Sequence, residues 1–150
     1  MSDRRSAPVL VFAIGNPSRG DDAVGPQLAE RLAEAALPGV EVLIEFQLQV
    51  EHALDLEDRE RVVFVDACVD AESAAVVRPV LPDARFAHTS HALAPSQVLE
   101  TYVRITGREP PPAWLLGIQA ERFELGEGLS LAATHGRDAA WPRLLELCRL

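Results

Sequence analysis

The stretch V-L-V-F-A-I-G-N-P-S-R-G-D-D-A-V-G-P, residues 9 to 26, decides the fold. Its apolar run, residues 9–15, predicts a strand that is buried on both faces, as in a parallel sheet covered by helices. Residues that let the chain reverse come next: Gly15, Asn16, Pro17, Ser18 and Gly20. Asp21 and Asp22 then stand at the start of a stretch of helical composition, residues 23–35. This order of strand, turn and helix places both acids at the carboxyl edge of a sheet, where α/β folds bind ligands.

Two other interpretations of this loop have to be weighed. Capping and the helix dipole favour acids in the first helical turn without any function, and this explanation suits Asp21 better than Asp22. A glycine-rich loop can also cradle a phosphate. This one lacks the dinucleotide-binding spacing, and no Lys-Ser or Lys-Thr follows Gly20. Because two adjacent carboxylates would also repel a phosphate, we do not expect a nucleotide here.

The composition is that of a single globular domain over residues 1–150. Hydrophobic residues make up 48% of the chain and charged residues 25%, and 150 residues are enough to bury a core between three layers. The formal net charge of -9 argues against binding to nucleic acid or to an anionic membrane, since both select basic patches. We expect no membrane span and no signal peptide, because the longest apolar runs are short. Cys68 and Cys148 form no C-x-x-C pair and are expected to be reduced, buried thiols.

Strands and helices alternate along the chain. Strands are also predicted at residues 40–46, 61–67, 73–80 and 114–119, with Pro79 indicating an edge or terminal position for the fourth strand. Helices are predicted at residues 95–106 and from about 130 to 150, the latter with core contacts at Trp141, Leu144, Leu145, Leu147 and Cys148. A short helical segment, residues 47–58, carries His52, which we expect on the surface. The alternation predicts an α/β fold, a three-layer αβα sandwich with a mainly parallel sheet of about five strands.

Three more side chains are candidates for chemistry. Asp66 ends the otherwise apolar third strand, where a carboxylate is costly unless it reaches water, a hydrogen-bond network or a metal ion. The alternative is that it caps the next turn. His88 and His91 lie in the loop at residues 81–92. Asp22, Asp66 and one of these histidines would supply two carboxylates and an imidazole, a set that binds a divalent transition metal with positions left open. The residues alone therefore predict a hydrolytic or metal-binding α/β domain.

Three motifs give the sequence a more specific resemblance. The segment G-N-P-S-R-G-D-D-A-V-G, then F-V-D-A at residues 64–67 and S-H-A-L at residues 90–93, resemble the hydrogenase maturation endopeptidases. These hydrolases remove a C-terminal tail from the large subunit of nickel-iron hydrogenase. The resemblance implies an aspartate-type peptidase with a phosphorylase/hydrolase-like sandwich, acting as a cytoplasmic monomer on a nickel-loaded large-subunit precursor.

The resemblance also implies roles for individual residues. The acid of this family that contacts the metal after the first strand falls on Asp22, the second acid on Asp66, and the histidine on His91. His91 is preferred to His88 because the Ser-His-x-Leu pattern just before a helix is that of the family, so His88 is expected to be an ordinary loop residue. The nickel belongs to the substrate and is sensed by these three side chains, and Asp22 or Asp66 acts as the base for water.

The sequence departs from the family after the second strand. Glu45-Phe46-Gln47-Leu48-Gln49 stands where the family often has an acid followed by glycines and a threonine, which indicates a different type of hydrogenase as substrate. Two other functions stay open at this point. The chain could bind or escort the nickel-loaded precursor without cutting it, or it could hydrolyse small molecules on the same fold. The second is disfavoured because no G-x-S-x-G nucleophile elbow occurs.

Overall fold

The structure, a computed structural model, describes residues 6–85 and 92–150. In this part of the chain the strands are β1 (Val9–Ile14), β2 (Val40–Glu45), β3 (Arg61–Cys68), β4 (Ala75–Val80) and β5 (Ala113–Gln119). The α-helices are α1 (Val24–Ala35), α2 (Pro95–Thr106) and α3 (Leu131–Leu147), and short 3-10 helices occupy Gly20–Ala23 and Val50–Leu56. The predicted order of strands and helices is confirmed, with small shifts at the ends of the elements.

The five strands form one sheet in the order β2-β1-β3-β5-β4. The pairs β1–β2, β1–β3 and β3–β5 are parallel, whereas β4 runs antiparallel to β5 at one edge. The edge position predicted from Pro79 is confirmed. From β1 the chain continues to β2, its neighbour toward one edge of the sheet. From β3 it continues to β4, at the other edge. The strand order therefore reverses between β1 and β3, which is where open α/β sheets form a ligand crevice.

Helices cover both faces of the sheet, so the predicted three-layer sandwich is confirmed. Alternate residues of β1 and β3, such as Val11 and Val63, pack on one face with α1 and α3. The residues between them, such as Phe12 and Phe64, face α2 and the 3-10 helix Val50–Leu56. Every residue of β1 is buried, which is why its sequence shows no polar alternation. Among the described residues, no helix is long and apolar enough to cross a membrane.

Two predictions about single side chains are corrected. His52 is not on the surface: it is 9% exposed, and its ring packs edge-on against Phe12 with centroids 5.5 Å apart. The turn of the 3-10 helix directs this polar residue inward, an orientation that a short segment without clear periodicity does not predict. Both cysteines are free, but only Cys148 is buried, and burial raises its pKa to about 11. Cys68 is half-buried.

Gly25 provides a test of how tightly α1 lies on the sheet. A Cβ atom at this position would approach the carbonyl oxygens of Ile14 and Val65 to 2.9 and 3.1 Å. These are backbone atoms of the two central strands and cannot move apart freely. We expect Gly25→Val to lower the free energy of unfolding by about 1–3 kcal/mol in urea titrations. Gly128→Val is the control, since a Cβ atom there meets nothing within 4 Å. Equal effects for the two variants would contradict the close contact.

Candidate active site

The turn after β1 brings Asp22 back against the end of the strand. Gly15 has φ +147°, and a Cβ atom there would lie 2.0 Å from the carbonyl oxygen of Asp22, so only glycine fits. The backbone N–H of Asn16 donates to Asp22 Oδ2 at 2.7 Å. The carboxylate is half-buried and its orientation is fixed by the loop. The glycine and asparagine noted in the sequence therefore position the second of the two adjacent acids.

Asp66 lies near the carboxyl end of β3, next to the point where the strand order reverses. The backbone N–H of Ala67 donates to Asp66 Oδ1 at 2.9 Å. The pKa of Asp66 is raised to about 7: desolvation is the largest cause, the Ala67 hydrogen bond opposes it, and the negative charge of Asp22 adds to it. The two carboxylates are thus close enough to interact. At neutral pH the Asp66 carboxyl group can both accept and donate a proton, as a general acid or base requires.

Asp21 has a different role from its neighbour. It is fully buried and accepts four hydrogen bonds: from the backbone N–H groups of Glu121, Arg122 and Ser130 and from the Ser130 hydroxyl, at 2.7 to 3.0 Å. Burial by itself would raise the pKa of Asp21, but these bonds outweigh it and hold the pKa below its ordinary value. The sequence favoured a helix-capping role for Asp21, but its carboxylate does not cap its own helix. It holds residues 121–130 against the loop that carries Asp22.

The third predicted member of the site is a histidine. His91 and His88 both lie outside the described residues, so the assignment of Asp22, Asp66 and His91 to one metal-contacting set stays a prediction. Among residues 6–85 and 92–150, no group of three or more His, Cys, Asp or Glu side chains is placed to hold a metal ion. Within this part of the chain, the site consists of two interacting carboxylates.

A cavity of about 460 Å³ opens at the carboxyl end of β2, on the same edge of the sheet. It is lined by Ile44, Glu45, Phe46, Gln47, Gln49, Glu51 and His52. In the sequence this segment stood out only as a departure from the family pattern, with no role expected for Glu45 or His52. A larger, mainly apolar groove of about 660 Å³ lies between Val80, Ala113 and the end of α2, at the opposite edge, away from the acids.

Several solved structures with this architecture are described as hydrogenase maturation proteases or endopeptidases. HybD, a hydrogenase-maturating endopeptidase from E. coli, superposes with a TM-score of 0.71 at 24% identity, covering 92% of this chain and 90% of that one. The nickel-iron hydrogenase maturation protease HycI from Thermococcus kodakarensis gives 0.68 at 26% identity, covering 94% and 92%.

The chain has the fold of the hydrogenase maturation endopeptidases. A hydrogenase 2 maturation peptidase from a Thaumarchaeota archaeon also matches, with a TM-score of 0.65 at 25% identity over 92% of this chain and 95% of that one. Scans of the sequence against protein-family models and against curated proteins give no match. The resemblance to the hydrogenase maturation endopeptidases, which the sequence motifs suggested, is therefore supported by the overall architecture.

Proposed function

We propose that this chain is an endopeptidase that removes the C-terminal extension of a nickel-loaded large-subunit precursor of nickel-iron hydrogenase. The observation that carries the proposal is the pair Asp22 and Asp66. The two carboxylates interact where the strand order reverses, and Asp66 has a pKa of about 7. The general role is supported by solved structures that are named as a maturating endopeptidase and a maturation protease, and the match covers 90% and 92% of those chains. A cytoplasmic, monomeric enzyme is the form we expect.

The chemistry follows from the protonation of the pair. Asp66, when ionised, takes a proton from a water molecule whose oxygen attacks the scissile carbonyl carbon. The same proton is then available for the nitrogen of the leaving peptide when the carbon–nitrogen bond breaks. Asp22 is held by Asn16 and helps to orient the water and the substrate. Asp22 is the alternative base, and Asp66 would then orient the water and the substrate.

Nickel enters this scheme as part of the substrate. Asp22, Asp66 and His91 are proposed to contact it, and the two carboxylates present fit that role, since borderline divalent metals accept oxygen together with nitrogen and sulfur ligands. A metal can bind Asp66 only by displacing its proton, so the contact is weaker below pH 7. Without nickel the scissile bond is not positioned, so cleavage occurs only after the metal has been inserted into the precursor.

The test is the C-terminal mass of the precursor. We expect the wild-type protein to shorten the nickel-loaded large-subunit precursor and to leave the nickel-free precursor intact. Asp22→Asn should lower the single-turnover rate by about 10²- to 10⁴-fold, because it removes a charge at the reacting groups without removing volume. Asp70→Asn, in the exposed turn after β3, is the matched control and should cleave at the wild-type rate.

Two outcomes would replace the proposal. Nickel-dependent binding of the precursor with no new C-terminus would identify a binding or escort protein. Turnover of small esters or amides with no action on the precursor would identify a small-molecule hydrolase. An unchanged cleavage rate in Asp22→Asn and in Asp66→Asn would remove these residues from the mechanism.

A further inference from the structure

The cavity at the end of β2 carries a negative charge that the protein does not neutralise. Glu45 and Glu51 both line it, together with two glutamines. Within the described residues, the only ion-pair partner of Glu45 is His52, whose Nε2 lies 3.6 Å from Glu45 Oε1. The chain contains no lysine, and the nearby Arg59 is already bound to Glu41 at 2.6 Å. The Glu45 side chain is 39% exposed, so its charge is available to a ligand that enters from solvent.

His52 lies beside the Glu45 carboxylate but does not neutralise its charge. Its Nδ1 accepts a hydrogen bond from the backbone N–H of Gln49 at 2.8 Å, so this nitrogen carries no proton and the ring is neutral with its proton on Nε2. The His52 residue is 9% exposed and borders the cavity, and its Nε2 faces Glu45 from 3.6 Å, beyond hydrogen-bond distance. The ring itself is held by Phe12. A neutral, fixed imidazole thus forms one wall of the cavity beside a carboxylate whose charge it does not cancel.

The register of the sheet sets the distance from this cavity to the acids. Ile14 pairs with Glu45 on one side, and Ala13 pairs with Val65 on the other, so Asp66 follows beside Ile14. Because side chains alternate along each strand, Glu45 and Asp66 point to the same face. Two strand spacings separate their Cα atoms by about 10 Å, the length of about three residues of extended chain. The N–H of Gly15 also donates to the Glu45 carbonyl at 3.0 Å, which ties the cavity to the Asp22 loop.

We propose that this cavity binds a lysine or arginine side chain of the substrate polypeptide, at a position within a few residues of the scissile bond. The inference rests on the proposed peptidase function and names a specificity-determining residue for it. The cationic head lies on Glu45, and the aliphatic stem lies on Phe46, which is 68% exposed at the rim. A carboxylate with an exposed apolar side chain beside it is the combination that a long cationic side chain matches.

The experiment is a charge exchange on the intact proteins. In the nickel-loaded precursor, each lysine or arginine near the cleavage point is changed in turn to glutamate, and KM and kcat are measured with wild-type enzyme and with Glu45→Gln and Glu45→Arg. We expect one substrate position at which the change to glutamate raises KM roughly tenfold or more. Glu45→Arg should restore KM for that substrate and raise it for the natural one, with kcat little changed.

The controls separate this inference from the proposed function. Glu34→Gln, on the exposed side of α1, changes net charge equally and should leave KM unchanged. Cleavage that continues with wild-type KM in both Glu45 variants, or the lack of any position that Glu45→Arg restores, overturns the cation site while the peptidase stands. A wild-type protein that cleaves no precursor overturns both. Circular dichroism checks that each Glu45 variant is folded before its KM is interpreted.

Discussion

Replacement of Asp66 by Asn is expected to stop precursor cleavage and at the same time to make the folded protein more stable above pH 7. The loss of activity follows from the proposed mechanism, because a carboxamide can neither take a proton from water nor pass one to the leaving nitrogen. We expect a rate lower by about 10²- to 10⁴-fold. The gain in stability follows from burial, since the charged carboxylate of Asp66 is desolvated and lies near the charge of Asp22.

The direction of the pH dependence is fixed by the raised pKa. Asp66 ionises at its ordinary value of 3.8 in the unfolded chain and at about 7 in the folded protein. Between these values the folded state binds the proton more tightly, so the free energy of unfolding falls as the pH rises and the loss is complete above pH 7. Asparagine removes this loss. It also keeps an oxygen that can accept the Ala67 hydrogen bond.

Urea denaturation of both proteins at several pH values measures the effect. We expect Asp66→Asn to exceed wild type by about 2–4 kcal/mol at pH 8, and the difference to vanish near pH 4. Asp70→Asn, four residues further along the chain and exposed, should follow the wild-type curve at every pH. A variant that is inactive and also less stable at pH 8 would mean that Asp66 stabilises the fold. Ionisation of its buried carboxyl group would then not lower the free energy of unfolding as proposed.

The sequence was sufficient for the parts of the structure that depend on local pattern. The apolar run of β1 and the breaker residues after it predicted a central buried strand and a loop that holds Asp22. The apolar run of β3 predicted that Asp66 would reach the same edge, because parallel strands end together. These predictions worked because each uses a periodicity or a turn preference that is read within about ten residues.

Contacts between distant residues could not be predicted in this way. His52 was placed on the surface because nothing in its own segment shows that Phe12, forty positions earlier, forms its packing partner. The cavity beside Glu45 depends on the same packing. Asp21 was expected to cap its own helix, but its four hydrogen bonds come from three residues that lie about a hundred positions further along the chain. A single sequence contains no periodic signal for such pairings.

Asp21→Ala is expected to be the most destabilising substitution of a charged residue near the site. It leaves three backbone N–H groups and the Ser130 hydroxyl without an acceptor in a place where Asp21 itself is fully buried. Removal of one partner from a buried, charged network lowers the free energy of unfolding by about 3–5 kcal/mol. Since small domains have only about 5–15 kcal/mol in total, much of the protein should unfold in mild urea.

The adjacent acid supplies a matched control for this effect. Asp22 is half-buried and, among the described residues, accepts a single hydrogen bond, from Asn16, so Asp22→Ala should lower the free energy of unfolding by about 1 kcal/mol. Hydrogen exchange locates the damage: the amides of residues 121–130 should lose protection in Asp21→Ala and keep it in Asp22→Ala.

The pH dependence of Asp21 runs opposite to that of Asp66. Its pKa lies below 3.8 in the folded protein, so its contribution is complete above that value and is lost as the pH falls through the folded pKa. Asp21→Asn should therefore differ from wild type at pH 7 and approach it at acid pH, since a protonated aspartate also accepts fewer hydrogen bonds. Equal losses of stability in Asp21→Ala and Asp22→Ala would mean that residues 121–130 are held by their backbone contacts alone. The loop that carries Asp22 would then owe its position to Gly15 and Asn16, and the buried carboxylate beside it would contribute nothing to the site.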